Sequence, residues 1–314
     1  MKFRNSNFFH ILLFSFCLLI SCPSHGQAQV KKVLTEADYG KFGTLLIKQF
    51  SSDGKWVSYE MQYENKVDTL FLQHVPSKQA TLIPRGKDSA FGGMSFFAWR
   101  VGSNLLIKNL KDGSIETLEG VKRYEFTRDG KHLLVLQPNG NLLIKDLRVK
   151  KEERISDVSN YVTNAKTDGV LFTKEYQGKC LLGYFSFKKN ETLPLLEEVT
   201  PISRMVWQKD GESVGFMVGN ALRFLDLKSR KLYSLPMEIK KKPLKIADGA
   251  LYPIVLSDDG EKVFFSVVFE KPKVTDDKRE QVEVWNGTDV CLFPVRQVLE
   301  KISIPLLAVW LPKK

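Results

Sequence analysis

A chain of 314 residues with 43% apolar side chains has ample material for a buried core, which excludes a disordered tail. Its formal charge of +11 is spread over short basic clusters, at Lys31, Arg148–Arg154, Lys228–Lys231 and Lys240–Lys245, set between apolar runs as solvated turns are. With the export signal that precedes them, these scattered clusters argue against a nucleic-acid partner.

The first element is that signal. Lys2 and Arg4 precede an apolar run from Phe8 to Ile20, and small and polar residues follow. The run is too short for a comfortable membrane span and has the layout of an export leader. Leu19-Ile20-Ser21-Cys22 resembles a bacterial lipobox, making Cys22 the lipidation candidate; Gly26-Gln27-Ala28 offers ordinary cleavage near Ala28. Residues 1–28 are therefore expected to be a signal peptide and 29–314 the folded domain. The expected location is the periplasm, or the outer membrane of a bacterium through a lipid anchor. Beyond the signal only Cys180 and Cys291 remain, two expected buried thiols and no disulfide framework.

Downstream, one unit recurs. Its copies are "SSDGKWVSYEM" from Ser51, "TRDGKHLLVL" from Thr127, "QKDGESVGFMV" from Gln208 and "SDDGEKVFFSV" from Ser257, with a weaker one, "TDGVLFTKEY", from Thr167. Each reads as a turn followed by a strand, Asp-Gly giving the positive φ of a tight turn: Asp53-Gly54, Asp129-Gly130, Asp168-Gly169, Asp210-Gly211 and Asp259-Gly260. The aspartates are separated by 76, 39, 42 and 49 residues. The first gap holds two units, which predicts a degenerate copy near residue 91, where "FGGMSFFAWRVGSNLLIKNL" reads as paired strands. Further short strands follow each copy, such as "NGNLLIKDL", "KEERIS", "NALRFLDL" and "KLYSL". A period near 40 residues with three to four antiparallel strands predicts an all-β chain, a β-propeller of about six four-stranded blades, either closing as a small ring or left open; a β-sandwich is the alternative. In the first copy Val57, Tyr59 and Met61 share one strand face and Trp56, Ser58 and Glu60 the other, and sandwiched blades allow both to be buried.

Several segments together resemble the propeller of exported bacterial serine peptidases of the prolyl oligopeptidase family. They are Leu34–Leu72, the S-x-D-G-K repeats also found in TolB-like propellers, "QVEVWNGTDVCLFPVRQ" at Gln281–Gln297, and "LLAVWLP" from Leu306. The resemblance implies a propeller that restricts access to an α/β-hydrolase domain carrying Ser, Asp and His. This chain is expected to depart from that plan, since the sequence to Lys314 offers no segment that reads as a hydrolase domain. The expected function is thus a substrate-gating or interaction propeller, inactive alone, with a free-standing TolB-like periplasmic scaffold or a truncated remnant as alternatives. A peptide or protein partner, including a chain supplying the missing portion, fits each of these.

Gly211-Glu212-Ser213-Val214-Gly215 matches the G-x-S-x-G of a nucleophile elbow, which needs a strand, a sharp turn and a helix. Ser213 instead begins a strand in the repeat, aligned with Trp56, His132 and Lys262, and no histidine follows residue 132. A catalytic Ser213 is not expected. His74 and His132 lack ligands at metal spacing and read as satisfied structural side chains. Glu152-Glu153, a charged hairpin edge, and Glu197-Glu198, a connection between blades, lack the aromatic surroundings of an amine-binding glutamate pair. No catalytic residue, metal or cofactor is expected.

Overall fold

The computed structural model describes residues 33–166, 168–235, 244–249, 251–269 and 305–314. The signal peptide, Cys22, Cys291 and Gln281–Gln297 lie outside the described residues. Two compact units are present. In the smaller, residues 33–43 with 63–66, a single helical turn, α1 (Glu36–Tyr39), follows Thr35. The Thr35 backbone N–H and Oγ1 both donate to Asp38 Oδ2, at 3.2 and 2.9 Å, and Lys41 Nζ pairs with Asp38 Oδ1 at 2.8 Å, so a capping box holds the turn.

The larger unit is built from sheets. The first holds β1 (Gly43–Phe50), β2 (Trp56–Tyr63), β3 (Thr69–His74) and β4 (Ala80–Pro84); the second, β5 (Lys87–Gly92), β6 (Phe96–Val101), β7 (Asn104–Asn109) and β8 (Ile115–Leu118). The third has β9 (Arg123–Phe126), β10 (His132–Leu136), β11 (Leu142–Asp146) and β12 (Lys151–Ile155), and the fourth β13 (Val158–Thr163), β14 (Gly169–Tyr176), β15 (Lys179–Ser186) and β16 (Glu191–Glu198). β17 (Ile202–Trp207), β18 (Ser213–Val218), β19 (Ala221–Asp226) and β20 (Lys231–Ser234) make the fifth. In each of these five sheets, neighbours in sequence pair antiparallel.

The sixth sheet differs. Its first rung is broken into β21 (Leu244–Ile246) and β22 (Val255–Leu256), which pair with opposite ends of one side of β23 (Val263–Phe269); β24 (Leu306–Trp310) pairs along the other side. Gly249, at φ +109°, and Pro253 lie in the break, where neither continues a ladder. "LLAVWLP" therefore supplies the third rung of the sixth sheet.

Each sheet buries its apolar side chains against the next. Leu70, Leu72 and Ile83 of the first sheet meet Phe97 and Trp99 of the second, and Leu105 and Ile107 of the second meet Leu133 and Leu143 of the third. Leu134 and Ile144 then pack on Tyr161 and Phe172; Leu171 and Leu182 on Val214 and Phe216; Leu222 and Phe224 on Val263 and Phe265. Five separate cores between consecutive sheets rule out the two-sheet sandwich, which has one. The fold is a β-propeller, with six sheets among the described residues, and among these residues the ring of sheets is not closed. Because the inner sheets are covered on both faces, β10 and β18 are buried at every residue, so their sequences are continuously apolar apart from the first position.

In the first sheet the more deeply buried face is the polar one. Ser58 is fully buried and Glu60 is 7% exposed, its carboxylate paired with Lys48 Nζ at 2.7 Å. Val57, Tyr59 and Met61 on the opposite face are only half-buried.

Candidate functional site

The repeated turn is a hydrogen-bonded clasp. Ser51 Oγ donates to Asp53 Oδ1 at 2.7 Å and accepts from the backbone N–H of Trp56 at 3.0 Å, while Lys55 N–H donates to the same carboxylate at 3.2 Å. Thr127 Oγ1 repeats this with Asp129 (2.8 Å) and His132 N–H (3.0 Å). Ser257 does so with Asp259 and Lys262 N–H (2.9 Å). Gly54, Gly130, Gly211 and Gly260 take φ of +69°, +67°, +73° and +67°, as the sequence predicts.

Hydrogen bonding to the ionised form holds these carboxyls low. For Asp53 and Asp259 the serine hydroxyl is the main cause. For Asp129 partial burial opposes, but the Lys131 side chain, Thr127 and the Lys131 N–H together lower the pKa to about 2. In the fourth copy Gln208 replaces the hydroxyl residue, its Oε1 accepting from Glu212 N–H at 3.1 Å, and Asp210 instead faces Lys166 Nζ at 3.7 Å.

Asp168-Gly169 departs from the predicted turn. Gly169 has no positive φ and is the first residue of β14. A Cβ there would stand 2.3 Å from Tyr184 Cε2 and 2.5 Å from Phe185 O, so close packing, not turn geometry, requires this glycine. The clasp is made by Asn164 instead, whose Oδ1 accepts from Asp168 N–H at 3.2 Å and whose Nδ2 donates to the Asp168 carboxylate. The degenerate copy keeps a turn glycine, Gly93 at φ +62°.

The clasps also touch from sheet to sheet. Gly130 lies against the backbone of Gly92 and Gly93, Gly211 against Asn164, and Gly260 against Ser213 and Gln208. Gln208 Nε2 donates to Asp258 O, and Lys209 Nζ meets Asp258 Oδ2 at 2.6 Å. The Asp-Gly residues thus join the ends of neighbouring sheets.

Ser213 opens β18 and is 3% exposed; its Oγ has no hydrogen-bond partner among the described residues, and a strand follows it. Trp56 and His132 open β2 and β10 at the same repeat position. Geometry and burial both oppose a nucleophile elbow. His74 is satisfied, its Nδ1 lying 2.9 Å from Ser77 Oγ and its ring 4.7 Å from that of Trp56.

His132 is not satisfied in the way expected. Its ring stacks on Phe187 at 4.2 Å and Nε2 lies 3.6 Å from Asp146 Oδ2, but buried Nδ1 has no partner among the described residues. Burial lowers its pKa, against the pull of Asp146 and Asp129, and favours the neutral ring. Cys180 is buried, as expected, and burial raises its thiol pKa.

The glutamate pairs are not amine sites, because adjacent residues of a strand point to opposite faces. Glu152 pairs with Lys145 at 2.7 Å, whereas Glu153 meets Lys151 at 3.0 Å and Asn190 at 2.8 Å. Glu197 and Glu198 belong to β16, not to a connection between blades. Glu197 pairs with Lys179, and Glu198 reaches across to Arg223 of the fifth sheet at 2.7 Å.

A cleft of about 460 Å³ with converging polar groups lies between the second and third sheets. Phe96, Ile107, Ile115 and Leu147 give it apolar walls. At one side Lys145, its side chain 8% exposed, is held between Glu116 of the second sheet and Glu152 of the third. Burial would lower the Lys145 pKa, but the two carboxylates outweigh it and raise the value. The group is a fixed ammonium, suited to binding and not to nucleophilic attack. The sequence carries half of this arrangement: Lys145 and Glu152 are cross-strand partners on consecutive strands. Glu116 enters only through the packing of neighbouring sheets.

No protein-family model and no curated protein sequence matches the chain. Solved structures similar to it include the tricorn protease, at 9% identity and TM-score 0.41 over 75% of this chain and 24% of that one. An oligogalacturonate lyase in complex with manganese has 12% identity and TM-score 0.41 over 72% and 59%. The C-terminal WD40 domain of Sif2 has 16% identity and TM-score 0.44 over 72% and 69%. The chain spans about a quarter of the tricorn protease chain.

Proposed function

We propose that the chain is the propeller portion of an exported, prolyl-oligopeptidase-like serine peptidase system, where it admits or holds polypeptide without cleaving it. The observation that carries this reading is the fate of the one G-x-S-x-G: Ser213 is buried at the start of an interior strand, at a position the repeat fills with Trp56 and His132 elsewhere. The cleft beside Lys145, with apolar walls and fixed charges, suits a peptide segment better than a reacting bond. An anchor at Cys22 would keep this binding activity at a membrane surface.

Treatment of the purified chain with a fluorophosphonate probe tests the absence of bond chemistry. No labelling is expected, and modification of Ser213 would overturn the reading. Binding is tested with unstructured proline-containing peptides by calorimetry, and Glu116→Lys should abolish it by placing a second cation in the cleft. For the anchor, metabolic labelling with an alkyne fatty acid should mark the chain and be lost in Cys22→Ser.

A further inference from the structure

The seam between the third and fourth sheets is held by different chemistry at its two edges. At the β9 edge Arg123 donates to Asn160 Oδ1 at 3.2 Å and to Tyr161 O at 3.3 Å, with its guanidinium 4.3 Å from the centre of the Tyr161 ring. Thr163 Oγ1 adds a bond to Glu125 Oε1 at 2.6 Å. A guanidinium does not lose its proton in a protein, so Arg123 is a permanent clamp. Toward the β12 edge the seam rests on the stack of His132 against Phe187, with planes 15° apart, and on the Asn190 Nδ2 bond to Glu153.

His132 is poorly placed to become charged. Its Nε2 faces the Asp146 carboxylate at 3.6 Å and so carries the proton of the neutral ring, because a lone pair there would be repelled. Nδ1 is then a bare acceptor, sealed from water and without a partner among the described residues. A second proton has to go onto Nδ1, where it meets neither an acceptor nor water. Asp146 compensates little, since its carboxylate already accepts from Arg148 through the backbone N–H at 2.9 Å, Nε at 3.3 Å and Nη2 at 2.9 Å. The remaining charges are Asp129 with Lys131 in the preceding turn, paired at 2.9 Å, and Lys151 with Glu153 on β12. The fourth sheet brings Asp168, bound by Asn164, and exposed Lys188 and Lys189, the latter paired with Glu191 at 3.2 Å. Asp129 against its partial burial, Asp146 through Arg148 and Glu153 through Asn190 are held below their ordinary values, and they stay ionised while a histidine titrates.

Beside the ring the two sheets already part around a cavity of about 150 Å³, with Ile144 of β11 on one side and Phe185 of β15 on the other. Once the stack separates, water has a space from which to reach Nδ1. We infer that this seam is an acid-opened joint: protonation of His132 parts its ring from Phe187 and opens the β12 edge, while Arg123 keeps the β9 edge shut. Ile144 and Phe185, 3% and 4% exposed when the joint is closed, then become accessible. Acid thereby turns a sealed margin of the core into apolar surface, at one seam and not at its neighbours.

The test places a thiol in the cavity wall by Ile144→Cys, in the full chain and again together with His132→Phe, which keeps an aromatic stack and takes no proton. Labelling by a neutral disulfide reagent is followed peptide by peptide with mass spectrometry. Cys180, buried between the fourth and fifth sheets, reports on the neighbouring seam in the same sample. If the ring is protonated only when the joint is open, opening rises about tenfold between about pH 7.5 and about pH 5.5, because an exposed imidazole titrates near 6.5. The labelling rate of the introduced thiol, divided by its rate in the His132→Phe chain at the same pH, should rise by that factor, and the same ratio for Cys180 should not change. Equal rates in the two chains at the acid pH overturn the inference, as does a rise at Cys180 in step with the introduced thiol. Should circular dichroism show that Ile144→Cys does not fold, binding of an apolar-surface dye to the wild-type chain and to His132→Phe decides: fluorescence that rises below about pH 6 in the wild type alone supports the joint, and equal fluorescence overturns it. None of these outcomes depends on peptide binding or on fluorophosphonate labelling.

Discussion

Alanine at the repeat glycines separates two demands that look identical in sequence. Gly54 and Gly130 both sit in Asp-Gly turns, at φ +69° and +67°, so a side chain at either meets the left-handed penalty of about 1 kcal/mol. Nothing lies within 4 Å of a Cβ at Gly54, whereas one at Gly130 would stand 2.4 Å from Gly93 N and 2.6 Å from Gly92 C. Those are backbone atoms, so the second and third sheets must part locally, at a further cost of about 1–3 kcal/mol. Gly130→Ala should therefore destabilise the protein by about 2–4 kcal/mol and Gly54→Ala by about 1 kcal/mol. Urea titration followed by tryptophan fluorescence and circular dichroism measures both. Equal midpoints, or a larger loss at Gly54, would refute the claim that the Asp129-Gly130 clasp is seated on its neighbour's backbone.

Two further expectations concern pH. The Asp129 carboxyl titrates at about 2 in the folded chain, below the ordinary aspartate value of about 3.9, so the unfolded chain binds the proton more readily. The associated stability, about 1 kcal/mol once solvent screening of this largely hydrated carboxyl is allowed for, is present above the ordinary value and is lost as pH falls through the folded one. Asp129→Asn should remove that part of the acid limb in melting temperature against pH; an unchanged limb would count against the clasp. His132 is depressed by burial, with Asp146, Asp129, Arg148 and Lys131 as its charged surroundings. Its contribution is complete above the ordinary histidine value of about 6.5 and declines below it. His132→Phe, which retains an aromatic stack on Phe187, should flatten stability between about pH 5 and 7. A slope identical to wild type in that window would exclude His132 as its source.

The sequence reading reached the parts of the fold governed by residues close together in the chain. The turns at Gly54, Gly130, Gly211 and Gly260 follow from the demand for positive φ, and the degenerate copy near Phe91 follows from spacing alone. Gly169 was misread because Asp-Gly is the same dipeptide whether it bends the chain or lets two side chains approach, and Tyr184, which decides between them, lies on the next strand. The break between β21 and β22 hides in a stretch that reads as one connection. The Lys145 cluster has one partner on the next strand and one on another sheet, and only the strand neighbour is implied by local pattern. The orphaned Nδ1 of His132 likewise depends on what Phe187 and Asp146 leave uncovered.

The clasp has a consequence for how the molecule comes to be folded. Its hydrogen bonds reach only from Ser51 to Trp56, from Thr127 to His132 and from Ser257 to Lys262, and each strand it launches pairs with its neighbours in sequence. Loop-closure cost is therefore small within the first five sheets. Assembly can begin at any hairpin and spread to either side, as in other stacked repeats. The second to fifth sheets, covered on both faces, should then hold their amide protons longest, and the first and sixth should release theirs earliest.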